Sequence, residues 1–340
     1  MKYSSKNKRS PLRAYGIGAL MLVLAVLSGL LLGSSRLNPL TWLTALLEGN
    51  TADPSLRILL YVRLPRVWAS LLCGAALAVS GAVIQTVLNN RLASPSIIGV
   101  NAGAGLAVTV CAALGLVGGW QVSVFAFAGA FLAVMLVALG AGKWNASRGT
   151  VILMGVALNS LLGAFSDTIR VINPDVSIMT GDFRMGDFFS VTYSSLIPAA
   201  VVVPLVGLLL LTLSTHMDVL SLGEDAAKGL GMETKGVRIL LLLLAAVLAG
   251  AAVSVCGLLS FVGLLVPHGV RRAVGMSASR SRHLIPLCAI FGGGFVTLCD
   301  TLSRVIFAPY EIPVGVIMAF LGAPFFVFIL IKGKGGEHHA

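Results

Sequence analysis

Apolar residues in this chain come in long blocks, and nearly all of the charge falls in the short stretches between them. A helix rises about 1.5 Å per residue, so roughly 20 apolar residues cross a hydrocarbon layer of about 30 Å. The blocks predict ten helical spans, at 15–33, 64–88, 94–118, 122–141, 149–170, 194–214, 236–257, 260–274, 284–304 and 313–331. The alternating segments of about ten residues that mark an outer-membrane barrel are missing. Local signals sharpen some ends. Arg63-Leu-Pro-Arg66 opens the second span with Pro65 near its first position, which puts Arg66 in the first turn, where the helix dipole disfavours a cation. Ser94-Pro95 reads as a cap with proline at the first helical position. Gly99 and Gly103 form a G-x-x-x-G face suited to close packing in lipid. The eighth span is short and contains Pro267, so a broken or tilted helix is expected there.

Composition agrees with an all-α polytopic membrane protein. Of 340 residues 57% are hydrophobic and 11% charged, with a mean hydropathy of +0.96; soluble domains carry about 25% charged residues. A net charge of +11 could suggest nucleic acid, but the basic residues sit between spans, as topology signals do. Of the 24 Lys and Arg, all but Arg36, Arg57, Arg63, Arg66, Arg170, Arg184 and Arg304 fall on one predicted side, the cytoplasmic one. Ten spans then place both termini in the cytoplasm, with a basic tail at 1–14, one membrane domain at 15–331 and a short tail at 332–340. The basic start and the run from Ala14 to Gly33 resemble a secretory signal, but no A-x-A site follows, so a retained first helix is expected. Cys73, Cys111, Cys256, Cys288 and Cys299 lie inside apolar segments without C-x-x-C spacing, and read as small core residues rather than metal ligands.

Three sets of residues stand out for chemistry. In the inner loop at about 218–235, Ser221 and Glu224 fit a capping box and Gly231 a C-terminal cap, so a helix of about two turns is expected. Such a helix is marginal alone; with Leu222, Ala226 and Leu230 on one side it is either a docking element or an ordinary connector. The outer arginines Arg63, Arg66 and Arg304 either meet an anionic partner, or snorkel to lipid phosphate and pair with Asp300 and Asp53. Gln85, Asn101, Asn159 and Asp167, the last near Arg170, lie inside spans, where polar groups line a water-filled path or bond between helices. His268 and Arg271 sit where span eight reaches the cytoplasm. There is no phosphate loop, since Gly142-Lys143 is followed by Trp144, and no H-E-x-x-H or G-x-S-x-G set. The chain itself is therefore not expected to hydrolyse ATP.

Several of these stretches resemble one family, the FecCD-type permease subunits of ATP-binding-cassette importers for iron-siderophores, haem and cobalamin. They are Arg63-Leu-Pro-Arg66 with Gly74 through Gln85; Asn90-Arg-Leu-Ala-Ser-Pro95 with Gly99; Leu222-Gly223-Glu224; Phe261 through His268 with Arg271; Asp300 with Arg304; Glu311-Ile-Pro-Val-Gly315; and Gly322-Ala-Pro-Phe325. The resemblance implies a type II importer permease with about ten helices, paired with a second copy or a homologue. It further implies two cytoplasmic ATPase subunits that bind and hydrolyse ATP, and an extracytoplasmic binding protein that delivers a metal chelate, all at a bacterial cytoplasmic membrane. By position, Arg63, Arg66 and Arg304 match arginines that receive the binding protein; Leu222, Gly223, Glu224, Ala226 and Gly231 match the coupling helix; Asn90 and Leu92 match a narrowing at the cytoplasmic end. Arg91 stands where the family often has proline, and Phe183-Arg-Met-Gly-Asp187 replaces a commoner tryptophan-containing pattern. The alternative is a secondary transporter driven by an ion gradient, with Asp167, Arg170 or His268 as relay.

Overall fold

The computed structural model describes residues 11–35, 41, 44–45, 47–48, 53–116, 118–143, 146–274 and 280–334. Lys2, Lys6, Lys8, Arg9, Arg36 and residues 335–340 lie outside them. The described residues form helices and no strands: α1 (Pro11–Leu31), α2 (Pro54–Val87), α3 (Val100–Ala113), α4 (Gly119–Lys143), α5 (Arg148–Ile172), α6 (Pro174–Met179), α7 (Gly181–Met185), α8 (Tyr193–Thr212), α9 (Ser214–Ser221), α10 (Glu224–Gly229), α11 (Thr234–Cys256), α12 (Val262–Val274), α13 (Ser281–Val305) and α14 (Val314–Lys334). Seven are long and apolar enough to cross a membrane; α3, α12 and the apolar part of α14 are shorter. The chain is a polytopic helical membrane protein.

Helix α2 is the axis. In its most apolar stretch 78% of residues are buried, against 17% for α5 at the rim. Small residues make this possible. A Cβ on Gly74 would stand 2.3 Å from the Gly292 carbonyl of α13, and one on Gly81 would stand 1.9 Å from the Gly263 carbonyl of α12, so backbones meet where lipid offers no competing hydrophobic force. Ser70 shares a hydrogen bond with Thr297 (2.8 Å), and Ser80 donates to the Ala245 carbonyl of α11 (2.7 Å). On the other side Gly103 of α3 and Gly129 of α4 make an equally close pair.

Three predicted boundaries move. Helix α2 starts at Pro54, capped by Asp53, whose carboxylate accepts from the Ser55 and Leu56 amides, so Asp53 is not an arginine partner and Arg66 is not in a first turn. A π-helical turn at Leu59–Arg63 precedes Pro65, whose missing N–H and bulky ring disfavour a regular turn; Tyr193 of α8 donates to the Leu60 carbonyl there (2.6 Å). Ser94-Pro95 does not start α3, because Gly99 at φ 111° turns the chain again before Val100. Span eight shortens to the 13 residues of α12, after an irregular link with Phe261 at φ 67°.

Candidate functional site

At the end of the bundle where basic residues gather, α9 and α10 form a compact step between α8 and α11. Met217, Leu220 and Ala227 are fully buried against the bundle, whereas Leu222 and Leu230 are 65% and 66% exposed, with Ala226 also exposed beside them. The expected capping box is absent. Gly223, at φ 110°, is the N-cap of α10, and the Ser221 hydroxyl turns back to the Asp218 carbonyl. Glu224 instead pairs with Arg238 of α11 (2.6 Å) and Lys228 (3.1 Å), because a guanidinium outbids a neutral amide for a carboxylate. These bonds, the Arg238 one foremost, hold the Glu224 carboxyl below the usual range. Gly231 caps the far end as anticipated: at φ 80° it lets the Met232 amide reach the Ala227 carbonyl (3.1 Å). At the same end, after α2, Asn89 takes φ 46° and the Asn90 side chain accepts from the Leu92 amide (2.8 Å), which leaves Leu92 40% exposed.

Most of the polar residues within the bundle serve helix contacts. Gln85 is buried, donates to the Gly263 carbonyl (3.1 Å) and accepts from Arg271. Asn101 donates to the Leu259 carbonyl (3.4 Å). Asn159 donates to the carbonyls of Ser96 and Ile97, while its own carbonyl oxygen is buried without a partner. Asp167 is largely exposed and pairs with Arg170 (2.8 Å), which also reaches Thr109. His268 is part-buried on α12, about one turn before Arg271 and Arg272.

At the opposite end the three outer arginines come together, but inward. Arg63, Arg66 and Arg304 are each at most 5% exposed. Arg66 bonds Asp300 (2.8 Å) and Glu311 (2.7 Å), and Arg304 pairs with Asp300 at 3.2 Å. Arg63 donates to the Leu30, Leu31 and Ser35 carbonyls and Arg304 to Gly29, so both serve the orphan carbonyls at the end of α1. Ser34 donates to Glu311 (2.7 Å), which Arg66 keeps below the usual carboxylate range against the opposing effect of burial. Glu311, which the sequence offers only as part of the Glu311-Ile-Pro-Val-Gly315 stretch, is thus the second carboxylate of the cluster. Reversing these arginines to glutamate would therefore place anions beside Asp300 and Glu311 and disrupt the fold itself.

The segment Phe183-Arg-Met-Gly-Asp187 packs across this end of the bundle. The Leu258 amide donates to the Phe183 carbonyl, Asp187 to Cys256 and Gly315 to Gly186, and the Phe189 ring lies 5.1 Å from the Arg66 guanidinium. Burial pushes the Asp187 carboxyl up.

The profile of the FecCD transport family matches residues 20–332. The Fe(3+)-citrate import system permease protein YfmD of Bacillus subtilis is 34% identical, over 98% of this chain and 99% of its own length. The hemin transport system permease protein HmuU of Yersinia pestis is 32% identical, over 94% and 96%. A solved inward-facing structure, described as a metal-chelate type ABC transporter, superposes with a TM-score of 0.83 at 29% identity, covering 95% of this chain and 100% of that one.

Proposed function

The chain belongs to the FecCD transport family and is a permease subunit of an ATP-binding-cassette importer; from that premise we propose that it imports an iron-siderophore or a related chelate such as haem or cobalamin. It has no nucleotide site of its own and moves as a passive gate. Two cytoplasmic ATPase subunits seat on Leu222, Gly223, Glu224, Ala226 and Gly231. A second copy or a homologue covers the open faces of α5 and α14, with Asn159 and Asp167 toward the shared path and Gln85 and Asn101 bracing its wall. Asn90 and Leu92 narrow the cytoplasmic exit. An extracytoplasmic binding protein delivers cargo at the end built on Arg63, Arg66 and Arg304; because these are buried, they support the docking surface through Glu311 and the 183–187 segment. Both termini are cytoplasmic in a bacterial inner membrane, following the distribution of Lys and Arg.

One observation supports this reading above the others: a short step at the basic end, fixed by buried residues on one side, offers exposed Leu222, Ala226 and Leu230 on the other. A monomeric transporter has no use for such an apolar patch in water. The test is uptake of a labelled ferric chelate into vesicles carrying the permease, its ATPase and its binding protein. Leu222→Asp is expected to abolish ATP-dependent uptake and ATPase binding. Accumulation by the permease alone, driven by an ion gradient, would overturn the proposal.

A further inference from the structure

Among the described residues, 214–231 meet the bundle through three polar contacts, each to a different helix. The Ser281 amide, at the start of α13, donates to Asp218 Oδ1 at 2.8 Å. Arg148, the first residue of α5, donates to the Leu220 carbonyl at 3.1 Å. Arg238, about one turn into α11, donates to Glu224 at 2.6 Å. Two of these are helix-end chemistry. Asp218 gives an acceptor to an N–H that the first turn of α13 leaves free, and Arg148 adds a charged donor to the Leu220 carbonyl at the end of α9, which the Gly223 amide also reaches at 3.2 Å. The third is a charge pair whose arginine side chain is only 8% exposed.

Helices of eight and six residues do not hold a shape in water by themselves, so α9 and α10 keep theirs through what they touch. Their buried apolar residues fix depth, but apolar contact has no direction and lets a segment slide. Hydrogen bonds at three separated points fix orientation as well, and a displaced segment must pull on whatever holds the other end of each bond.

We propose that these contacts are the transmission of the importer, with Asp218, Arg148 and Arg238 as positioning residues that deliver motion of the α9–α10 step to α13, α5 and α11. This rests on the reading that ATPase subunits seat on that step. The three receivers differ in a way that sets the roles. In their most apolar stretches α11 and α13 are 61% and 67% buried, packed around α2, and α5 only 17%. A close-packed helix moves with its neighbours as a body. Within its own chain helix α5 has few buried residues, its open face being the one a second permease covers, and among the described residues the Arg148 bond is its one hydrogen bond to the step. Arg148 is thus the tether whose loss frees a helix from the drive while leaving the core intact.

The experiment uses the whole transporter in vesicles and reads ferric chelate imported per ATP hydrolysed. Arg148→Gln is expected to lower that ratio by roughly fivefold, the weight of one hydrogen bond, in a complex that still assembles, and Arg148→Lys to recover much of it. Arg238→Gln and Glu224→Gln should each lower the ratio, and the double variant should be no worse than either alone, as for two ends of one contact. An unchanged ratio in both Arg148→Gln and Arg238→Gln overturns the proposal. Uptake falling only in proportion to folded protein, with the ratio intact, overturns it equally. Leu222→Asp separates the two readings: if it leaves the ATPase subunits bound, the seating itself is wrong, whereas if it releases them while the tether variants do nothing, only the transmission is wrong.

Discussion

Asp300 is the most exacting test of the outer charge cluster. Its side chain is fully buried and holds Arg66 at 2.8 Å and Arg304 at 3.2 Å. In Asp300→Ala, Arg66 keeps Glu311, but Arg304 loses its carboxylate and retains only neutral acceptors: the residue-300 carbonyl, Gly29 and Thr301. Removing one partner of a buried ion pair costs about 3–5 kcal/mol, mostly because the other charge is left buried and alone. At about 2.1 cal/mol/K of unfolding entropy per residue, a cost of that size lowers the melting temperature of a chain this long by roughly 6 °C. The protein supplies its own reporter: all five cysteines are buried and free, so a fluorogenic maleimide stays dark until the detergent-solubilised permease unfolds. Removing both charges, in Asp300→Leu with Arg304→Met, should recover most of the loss, since a hydrophobic pair of similar volume replaces a buried ion pair at little cost. A shift in Asp300→Ala no larger than that of a surface substitution, about 0.5 kcal/mol, or a double variant whose losses simply add, would refute the account of this cluster as a mutually compensated set.

Two further outcomes follow from the packing and from Glu224. Gly81→Val places a Cβ 1.9 Å from a backbone carbonyl, which no side-chain rotation relieves, so folded permease recovered by size exclusion should fall to near zero; wild-type yield would contradict the close α2–α12 contact. The Glu224 carboxyl is held below its usual value, so its pairing stabilises α10 fully above the free-glutamate value of about 4.3 and is lost as pH falls through the lower folded value. Hydrogen exchange at 224–230, corrected for intrinsic rates, should show flat protection from about pH 7 to pH 5 and a drop only below about pH 4. A drop already between pH 7 and 5, or the same profile in Glu224→Gln, would remove the Glu224 pair as its cause.

Seven of the ten expected spans were legible as full-length helices because a hydrocarbon layer sets the length of a helix that crosses it, whereas α3 and α12 run only 14 and 13 residues where glycine and an irregular link interrupt the apolar blocks. Short-range capping signals were legible only where nothing distant competed. Proline after a capping side chain starts a helix at Asp53-Pro54 and fails to do so at Ser94-Pro95; the difference is Gly99, five residues on, whose positive φ resets the chain. Ser221 and Glu224 have the spacing of a capping box, yet Glu224 turns to Arg238, 14 positions away, because a buried cation needs an anion more than a solvated amide needs a cap.

The outer cluster follows the same logic over longer distances. Helical spacing exposes the Asp300–Arg304 pair to anyone reading the chain, since residues four apart share a face. It cannot reveal that Arg66 lies between Asp300 and Glu311, or that Arg63 serves the end of α1. The Arg66–Asp300 contact is set by the packing of α2 against α13, which depends in turn on the Gly74–Gly292 approach. Three arginines against two carboxylates leave one positive charge over, and the carbonyl end of α1, with its partial negative charge, is what faces it. An outer arginine that looks available for a partner when read along the chain is therefore already committed by the fold, and whatever docks above it meets the Glu311 edge of the cluster, 25% exposed, before it meets the arginines.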